Sequence, residues 1–352
     1  MPEPPNPLRV FIATPLEAEF AQQIADLDPR IELIYRPDLL GPSEYPGDHF
    51  GAPIERTPEQ QTEWEACFAN AHVIWDFDRD RPSELLSMAP NLVLAFHTSS
   101  GVAGWLGQSG LIESDVLVTN AAGIHAIPMA EWAMFAMLYF AKNVRRIQTS
   151  QRLHYWDKRY CPAELDGATL ALVGLGAVGS EIARRAHQFG MRVLAHRRRT
   201  DEPLSADVPV DEQFSRERLQ EMLSQADYVV LIVASTAETI GMIGREELEA
   251  LPPNAVLINL ARGAVVDQQE LTAALENNWI AGAALDVFNP EPLEADSILW
   301  DLPNVLVTPH AISHSQNENE RLTALFCSIL RAYLNGDPIP NLVDKRLGYS
   351  PS

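Results

Sequence analysis

The sequence predicts an α/β protein made of two doubly wound parallel sheets. Short, continuous apolar runs alternate with helical patterns along nearly the whole chain, and the runs fall into two successive series. The size agrees: 352 residues, 46% hydrophobic and 21% charged, are enough for two globular domains with sizeable cores and too apolar for disorder.

The chain opens on "MPEPPNP", a loose proline-rich leader without the apolar core of a signal peptide. The first series follows as "LRVFIAT", "IELIYR", "HVIWDF", "LVLAFHT" and "VLVTNA". These runs are rich in Val, Ile and Phe and too continuous to be half-exposed, as suits parallel strands covered on both faces. Among the helices between them is "TPEQQTEWEACFANA", opened by a Thr cap with Pro at its first helical position. Residues 40–57, with "GPSEYPGDHFGAP", form a Gly/Pro-rich loop long enough to be either functional or mobile. The most apolar run, "MAEWAMFAMLYFAK", is too short to span a bilayer and carries Glu131. It reads as part of a buried helix over 128–150, its Met-rich face serving a core or a subunit interface. His154, Tyr155 and Trp156 come after it, and the sequence leaves open whether they reach a partner subunit.

A second series runs "ATLALVG", "RVLAH", "YVVLIVA", "AVLINL", "AGAALDV" and "NVLVTPH", again with helices between. Repeated strand–helix–strand units imply right-handed crossovers and open sheets. A last helix near 316–335 should pack back on the first domain. The expected division is therefore 1–122 with 316–352 as one discontinuous domain and 123–315 as the other, with a cleft between them.

The formal charge is −22, which argues against nucleic acid or an anionic membrane as partner, because both require a basic footprint. Anionic ligands would need local clusters of positive charge. Cys67, Cys161 and Cys327 lie too far apart for a metal motif or a disulfide framework, so no metal is expected, and a reducing, cytoplasmic setting is.

"LVGLGAVGSEIARRAHQFG" sets Gly174, Gly176 and Gly179 in the pattern G-x-G-x-x-G, after an apolar strand and at the start of a helix. That context points to a dinucleotide-binding Rossmann domain. Gly174 permits the tight turn, Gly176 lets a pyrophosphate approach the backbone, and Gly179 allows close packing of helix on strand. The helix N-terminus then offers free N–H groups to the phosphates. An acidic residue that grips the ribose 2′-hydroxyl should follow about 20 residues on. There the chain reads "HRRRT", with Arg197, Arg198 and Arg199 beside His196. A carboxylate would repel a 2′-phosphate, whereas a guanidinium binds one through paired hydrogen bonds, so NADP(H) is the expected cofactor. NAD(H), with the arginines merely solvated, is the alternative.

In an open α/β sheet the ligand lies beyond the carboxyl ends of the strands. After "AVLINL" comes Arg262; after "AGAALD", which ends on Asp286, comes Glu291; after "NVLVT" comes His310. Histidine is the natural proton donor near neutral pH, a nearby glutamate favours its imidazolium, and arginine holds a carboxylate and polarises a carbonyl.

Together, "VGLGAVG", "NLARGAVVD", "ALDVFNPEPL" and "VTPH" resemble the signatures of the D-isomer-specific 2-hydroxyacid dehydrogenases, in that family's order, over about residues 92–345. The resemblance implies a flavodoxin-like substrate domain beside the Rossmann domain, and a reductase that turns a 2-oxo acid into an (R)-2-hydroxy acid. It makes His310 the acid/base, paired with Glu291, and Arg262 the ligand of the substrate carboxylate and keto group. Asp286 would contact the nicotinamide amide. "HTSSGVAG" resembles the loop whose backbone N–H groups, here around Ser100 and Gly101, grip the carboxylate. Ala177, Val178, Ala234, Thr239 and Ala261 complete the expected cofactor contacts, and "GIHAIPMAEW" looks like the family's domain junction and homodimer interface.

There are departures. "AISH" replaces a glycine-containing turn after His310, so Ile312 and His314 are expected to reshape the substrate wall, and "IVASTAET" lacks a proline common there. His97 and His125 read as structural histidines, and Trp105 as either a pocket or a core residue. A rival reading is a dinucleotide-sensing corepressor-like protein with little turnover.

Overall fold

The computed structural model describes residues 4–198 and 203–350. Arg199 therefore lies outside the described residues. The chain forms two compact units: one runs to His125 and resumes at His314, the other is Ala126–Ser313.

The first unit contains β1 (Leu8–Ile12), α1 (Ala18–Ala25), β2 (Ile31–Tyr35), α2 (Pro58–Asn70), β3 (Val73–Trp75), α3 (Leu85–Met88), β4 (Leu94–His97), α4 (Ala103–Ser109) and β5 (Leu117–Asn120). Its five strands are parallel in the order β2-β1-β3-β4-β5, the flavodoxin-like order. Strand alternation sorts the side chains. Phe11, Ile74, Ala95 and Val118 face one side with Trp64 and Phe68 of α2. Val10, Ile12, Trp75 and Phe96 face the other, where α1 packs. Helix α2 starts where the sequence places it: Thr57 and Gln60 form a reciprocal capping box ahead of Pro58.

The second unit contains α5 (Ala126–Ala141), α6 (Val144–Arg152), β6 (Thr169–Val173), α7 (Ala177–Gln188), β7 (Arg192–His196), β8 (Glu212–Phe214), α8 (Leu219–Leu223), β9 (Tyr228–Leu231), α9 (Arg245–Ala250), β10 (Val256–Asn259), α10 (Gln268–Glu276), β11 (Gly282–Leu285) and β12 (Val305–Val307). Among the described residues, seven parallel strands run β12-β11-β10-β9-β6-β7-β8, so the order reverses between β6 and β9. That switch point is where a Rossmann sheet receives its ligand. Helices α5 and α7 cover one face of the sheet, and α8, α9 and α10 cover the other.

The chain then returns to the first unit as α11 (Glu318–Asn335). Its stripe Leu322, Phe326, Ile329, Leu330 and Tyr333 recurs at helical spacing and is buried against β3 and β4, with Phe326 edge-on to Trp75 at 4.9 Å. Each such side chain contributes about 1.5–3 kcal/mol by leaving water. This stripe, which the whole second unit separates in sequence from β5, makes the first unit discontinuous.

Three expectations differ from what is observed. The helix read over 128–150 is two helices: Asn143 adopts the left-handed conformation (φ 46°) and its side chain accepts from the Arg146 amide, breaking the run and capping α6. Strand β8, "EQF", is an extra edge strand too short and polar to show as an apolar run. Ile312 is no wall residue; it is buried in the core beneath α5 and the sheet. Met134 and Met137 lie in the same core, whereas Phe135, Tyr155 and Trp156 are exposed, Trp156 at 88%. Among the described residues no helix is long and apolar enough to cross a membrane.

Candidate active site

The glycine loop occupies the carboxyl end of β6. Gly174 has φ +112°, and a Cβ there would stand 2.4 Å from the Ile232 carbonyl oxygen, so only glycine allows the neighbouring strand this close. A Cβ at Gly179 would meet the Gly174 carbonyl oxygen, also at 2.4 Å, and no side chain would let α7 sit so near the loop. Gly176 is the opposite case: a Cβ would find nothing within 4 Å. It precedes α7 without any side-chain cap, and Gly176 and Ala177 are exposed, with Val178 half-buried behind them. Open space before an uncapped helix N-terminus is the cradle a pyrophosphate needs.

At the end of β7, His196 turns inward. It is buried, its Nδ1 donates to the Phe214 carbonyl of β8, and burial lowers its pKa. Arg197 is half-buried, with Nε donating to Gln213 Oε1 at 2.8 Å and Nη2 left without a partner; Arg198 is exposed. Ala234 and Thr239 belong to the loop after β9, which Thr239 ties together by donating to the Ala234 carbonyl at 2.6 Å.

Arg262, Glu291 and His310 come from loops after β10, β11 and β12. His310 has a left-handed backbone (φ 52°), held by its amide donating to the Asp286 carbonyl at 2.9 Å. The Asp286 side chain is buried and accepts from Thr308 Oγ1 (2.7 Å) and the Ala311 amide (3.1 Å), so the carboxylate just past β11 shapes the turn that aims His310. His310 Nδ1 lies 2.8 Å from Glu291 Oε2, while Oε1 accepts from the Phe288 amide at 2.9 Å. Burial raises the Glu291 pKa, but the bonds to His310 and Phe288 and the nearby charge of Arg262 leave it below its usual range. Arg262 is exposed, with Nη1 donating to the Ala261 carbonyl at 2.7 Å. Its loop is locked to that of Glu291: a Cβ on Gly263 would lie 1.9 Å from the Phe288 carbonyl oxygen. The "ARG" and "DVFNPEP" loops are thus in backbone contact.

The carboxyl edge of the first unit holds the Ser100–Gly101 loop, both residues exposed. His97 is buried beneath it and accepts from the Ser99 amide, and Trp105 is buried against Phe77, a core residue. The 40–57 loop is bonded to itself, since Asp48 accepts from the amides of Glu44, Phe50 and Gly51. Thr14 anchors it through the His49 carbonyl at 2.6 Å.

Sequence reasoning missed Glu318, in the first turn of α11 and only 5% exposed. His125 Nε2 lies 3.2 Å from its Oε1 and His49 Nε2 lies 3.5 Å away, the second an ionic contact poorly aligned for a hydrogen bond. Burial alone would raise the Glu318 pKa, but the two imidazoles bring it down to about 2. An ordinary glutamate titrates near 4.5, so this contribution to stability is complete above that pH and disappears as pH falls through the native value. We expect Glu318→Gln to be about 3 kcal/mol less stable than wild type at neutral pH, with the gap closing between about pH 4.5 and 2. Urea titrations of both proteins across that range test this; a gap independent of pH would contradict it.

Among the described residues no group of three or more His, Cys, Asp or Glu side chains could hold a metal. The model for the NAD binding domain of the D-isomer specific 2-hydroxyacid dehydrogenases matches residues 134–311. A glyoxylate reductase of Korarchaeum cryptofilum is 35% identical over 270 residues, which is 75% of this chain and 80% of that one. Among solved structures, a D-isomer specific 2-hydroxyacid dehydrogenase of Xanthobacter autotrophicus, in complex with NADPH and MES, is similar at TM-score 0.75 and 28% identity, over 97% of this chain and 99% of that one. An NADPH-dependent glyoxylate/hydroxypyruvate reductase of Sinorhizobium meliloti, in complex with NADP and sulfate, gives a TM-score of 0.76 and 25% identity over 97% and 99%.

Proposed function

The chain belongs to the D-isomer specific 2-hydroxyacid dehydrogenase family, and we propose that it reduces a small 2-oxo acid to the (R)-2-hydroxy acid with NADPH. The observation that carries this reading is the 2.8 Å contact between His310 Nδ1 and Glu291, on a loop packed backbone-to-backbone against that of Arg262.

The ionised Glu291 can only accept, so His310 Nδ1 carries a proton and Nε2 is the ring nitrogen left for substrate. In the imidazolium form, Nε2–H donates to the keto oxygen and passes its proton to the alkoxide that develops there. Arg262 holds the substrate carboxylate and stabilises the charge gathering on that oxygen. In the first unit, the amides around Ser100 and Gly101 are the proposed contacts of a substrate carboxylate, as the family resemblance implies. Gly174, Gly176, Ala177, Val178 and Gly179 would hold the pyrophosphate, Arg197 and Arg198 the 2′-phosphate, Ala234, Thr239 and Ala261 the rest of the dinucleotide, and Asp286 the nicotinamide amide. Bound NADPH supplies the hydride. A corepressor-like sensor is the weaker reading, because binding alone needs no histidine oriented by a carboxylate.

The test follows NADPH and, separately, NADH absorbance with 2-oxo acids of increasing size, comparing kcat/KM. Reduction with a clear NADPH preference is expected. Turnover with NADH alone would remove the 2′-phosphate reading; cofactor binding with no turnover on any oxo acid would remove the enzyme reading.

A further inference from the structure

The carboxyl edge of the first unit's sheet carries chemistry that the reaction above leaves unused. His49 comes from the 40–57 loop, His125 from the segment after β5, and Glu318 from the start of α11, three segments far apart in sequence. His125 is the pivot: Nε2 lies 3.2 Å from Glu318 Oε1 and Nδ1 lies 3.5 Å from Ser100 Oγ. The Ser100 hydroxyl is also 3.2 Å from the Ala121 carbonyl, and Asn120 Nδ2 donates to the Ser100 carbonyl at 2.7 Å, fixing the loop. Both His49 nitrogens and Glu318 Oε2 are buried without hydrogen-bond partners, in side chains more than nine-tenths buried. A purely structural cluster rarely leaves so much hydrogen-bonding capacity unmet.

The direction of the hydrogen bonds follows from the chemistry of the groups. An ionised carboxylate only accepts, so His125 Nε2 carries a proton. The Ser100 hydroxyl has one proton, which goes to Ala121 or to Nδ1 while Nδ1 is bare. When Nδ1 is protonated it becomes a donor to Oγ, and the hydroxyl proton turns outward to an incoming anion. Glu318 holds the ring through Nε2 and so keeps Nδ1 facing Ser100. His49 in turn keeps Glu318 ionised, and Tyr45 and Asp48 are further ionisable neighbours from the loop, Asp48 beside His49.

We propose that Ser100, His125 and Glu318 form a relay that makes the Ser100 hydroxyl a donor to the substrate carboxylate. Ser100 is the binding group; His125 and Glu318 are positioning residues. The proposal rests on the reading of the protein as a 2-oxo acid reductase, and goes beyond it by assigning a side-chain contact and its support to the substrate's anionic end.

The experiment compares wild type with Ser100→Ala, His125→Gln and the double variant. Glutamine keeps a donor for Glu318 but places no atom where Nδ1 stands, so it severs only the link to Ser100. Two readouts are taken: steady-state kinetics with the best oxo acid, and calorimetric binding of oxamate, an unreactive 2-oxo acid mimic, to the NADPH-loaded protein. Each single variant should raise KM and weaken oxamate about tenfold, with kcat within about twofold, and the double variant should be no worse than either single. Unchanged KM and oxamate affinity, or losses that multiply in the double variant, would overturn the relay. If wild type reduces oxo acids and the variants match it, the relay alone falls. If wild type reduces none while oxamate binding still depends on both residues, the relay stands and the reductase reading falls.

Discussion

His310→Ala should lower kcat for 2-oxo acid reduction by about 10²–10⁴-fold, the usual range for a general acid. The affinity for NADPH should stay close to that of wild type. The expectation comes from the position of the ring: its tie to Glu291 and its amide bond to Asp286 orient it, and among the described residues none of its hydrogen bonds reaches the glycine loop. A loss in kcat and kcat/KM together, at unchanged NADPH affinity by fluorescence titration, would identify a group acting in the transition state. Near-normal turnover would remove His310 as the acid and leave the His310–Glu291 pair a structural one.

Arg197→Asp should weaken NADPH about 100-fold while NADH changes little. Charge-assisted hydrogen bonds to a phosphate are worth about 1.5–3 kcal/mol, and the new carboxylate adds repulsion. Arg197 is the informative site because its Nε is already braced by Gln213 of β8, which presents the rest of the guanidinium in one orientation. Titrating both cofactors against both proteins decides the matter. Equal weakening of NADH and NADPH would mean that Arg197 supports the loop and reads no phosphate.

Much of the architecture was legible because parallel strands buried on both faces are written as unbroken apolar runs. All five strands of the first unit's sheet and six of the seven in the second carry such a run. The seventh, β8, escaped because an edge strand of three residues needs no apolar pattern. The break at Asn143 escaped because one left-handed residue does not disturb helical periodicity on either side. Ile312 was misread for a related reason: adjacency to His310 in sequence says nothing about direction, and the turn at His310 sends the next residues into the core.

The sequence by itself determined the two parallel sheets, the glycine loop, and the arginine, glutamate and histidine at three successive strand ends. Each depends on a local pattern: an apolar run, a glycine spacing, or the residue just past a strand. Only the tertiary structure decided that His49, His125 and Glu318 meet and that Ser100 joins them. Their separations, 193 residues between His125 and Glu318, leave no periodicity to read. What brings them together is the burial of the apolar stripe of α11 on the first sheet, which carries Glu318 into a place where a lone carboxylate would be costly and two imidazoles hold its charge.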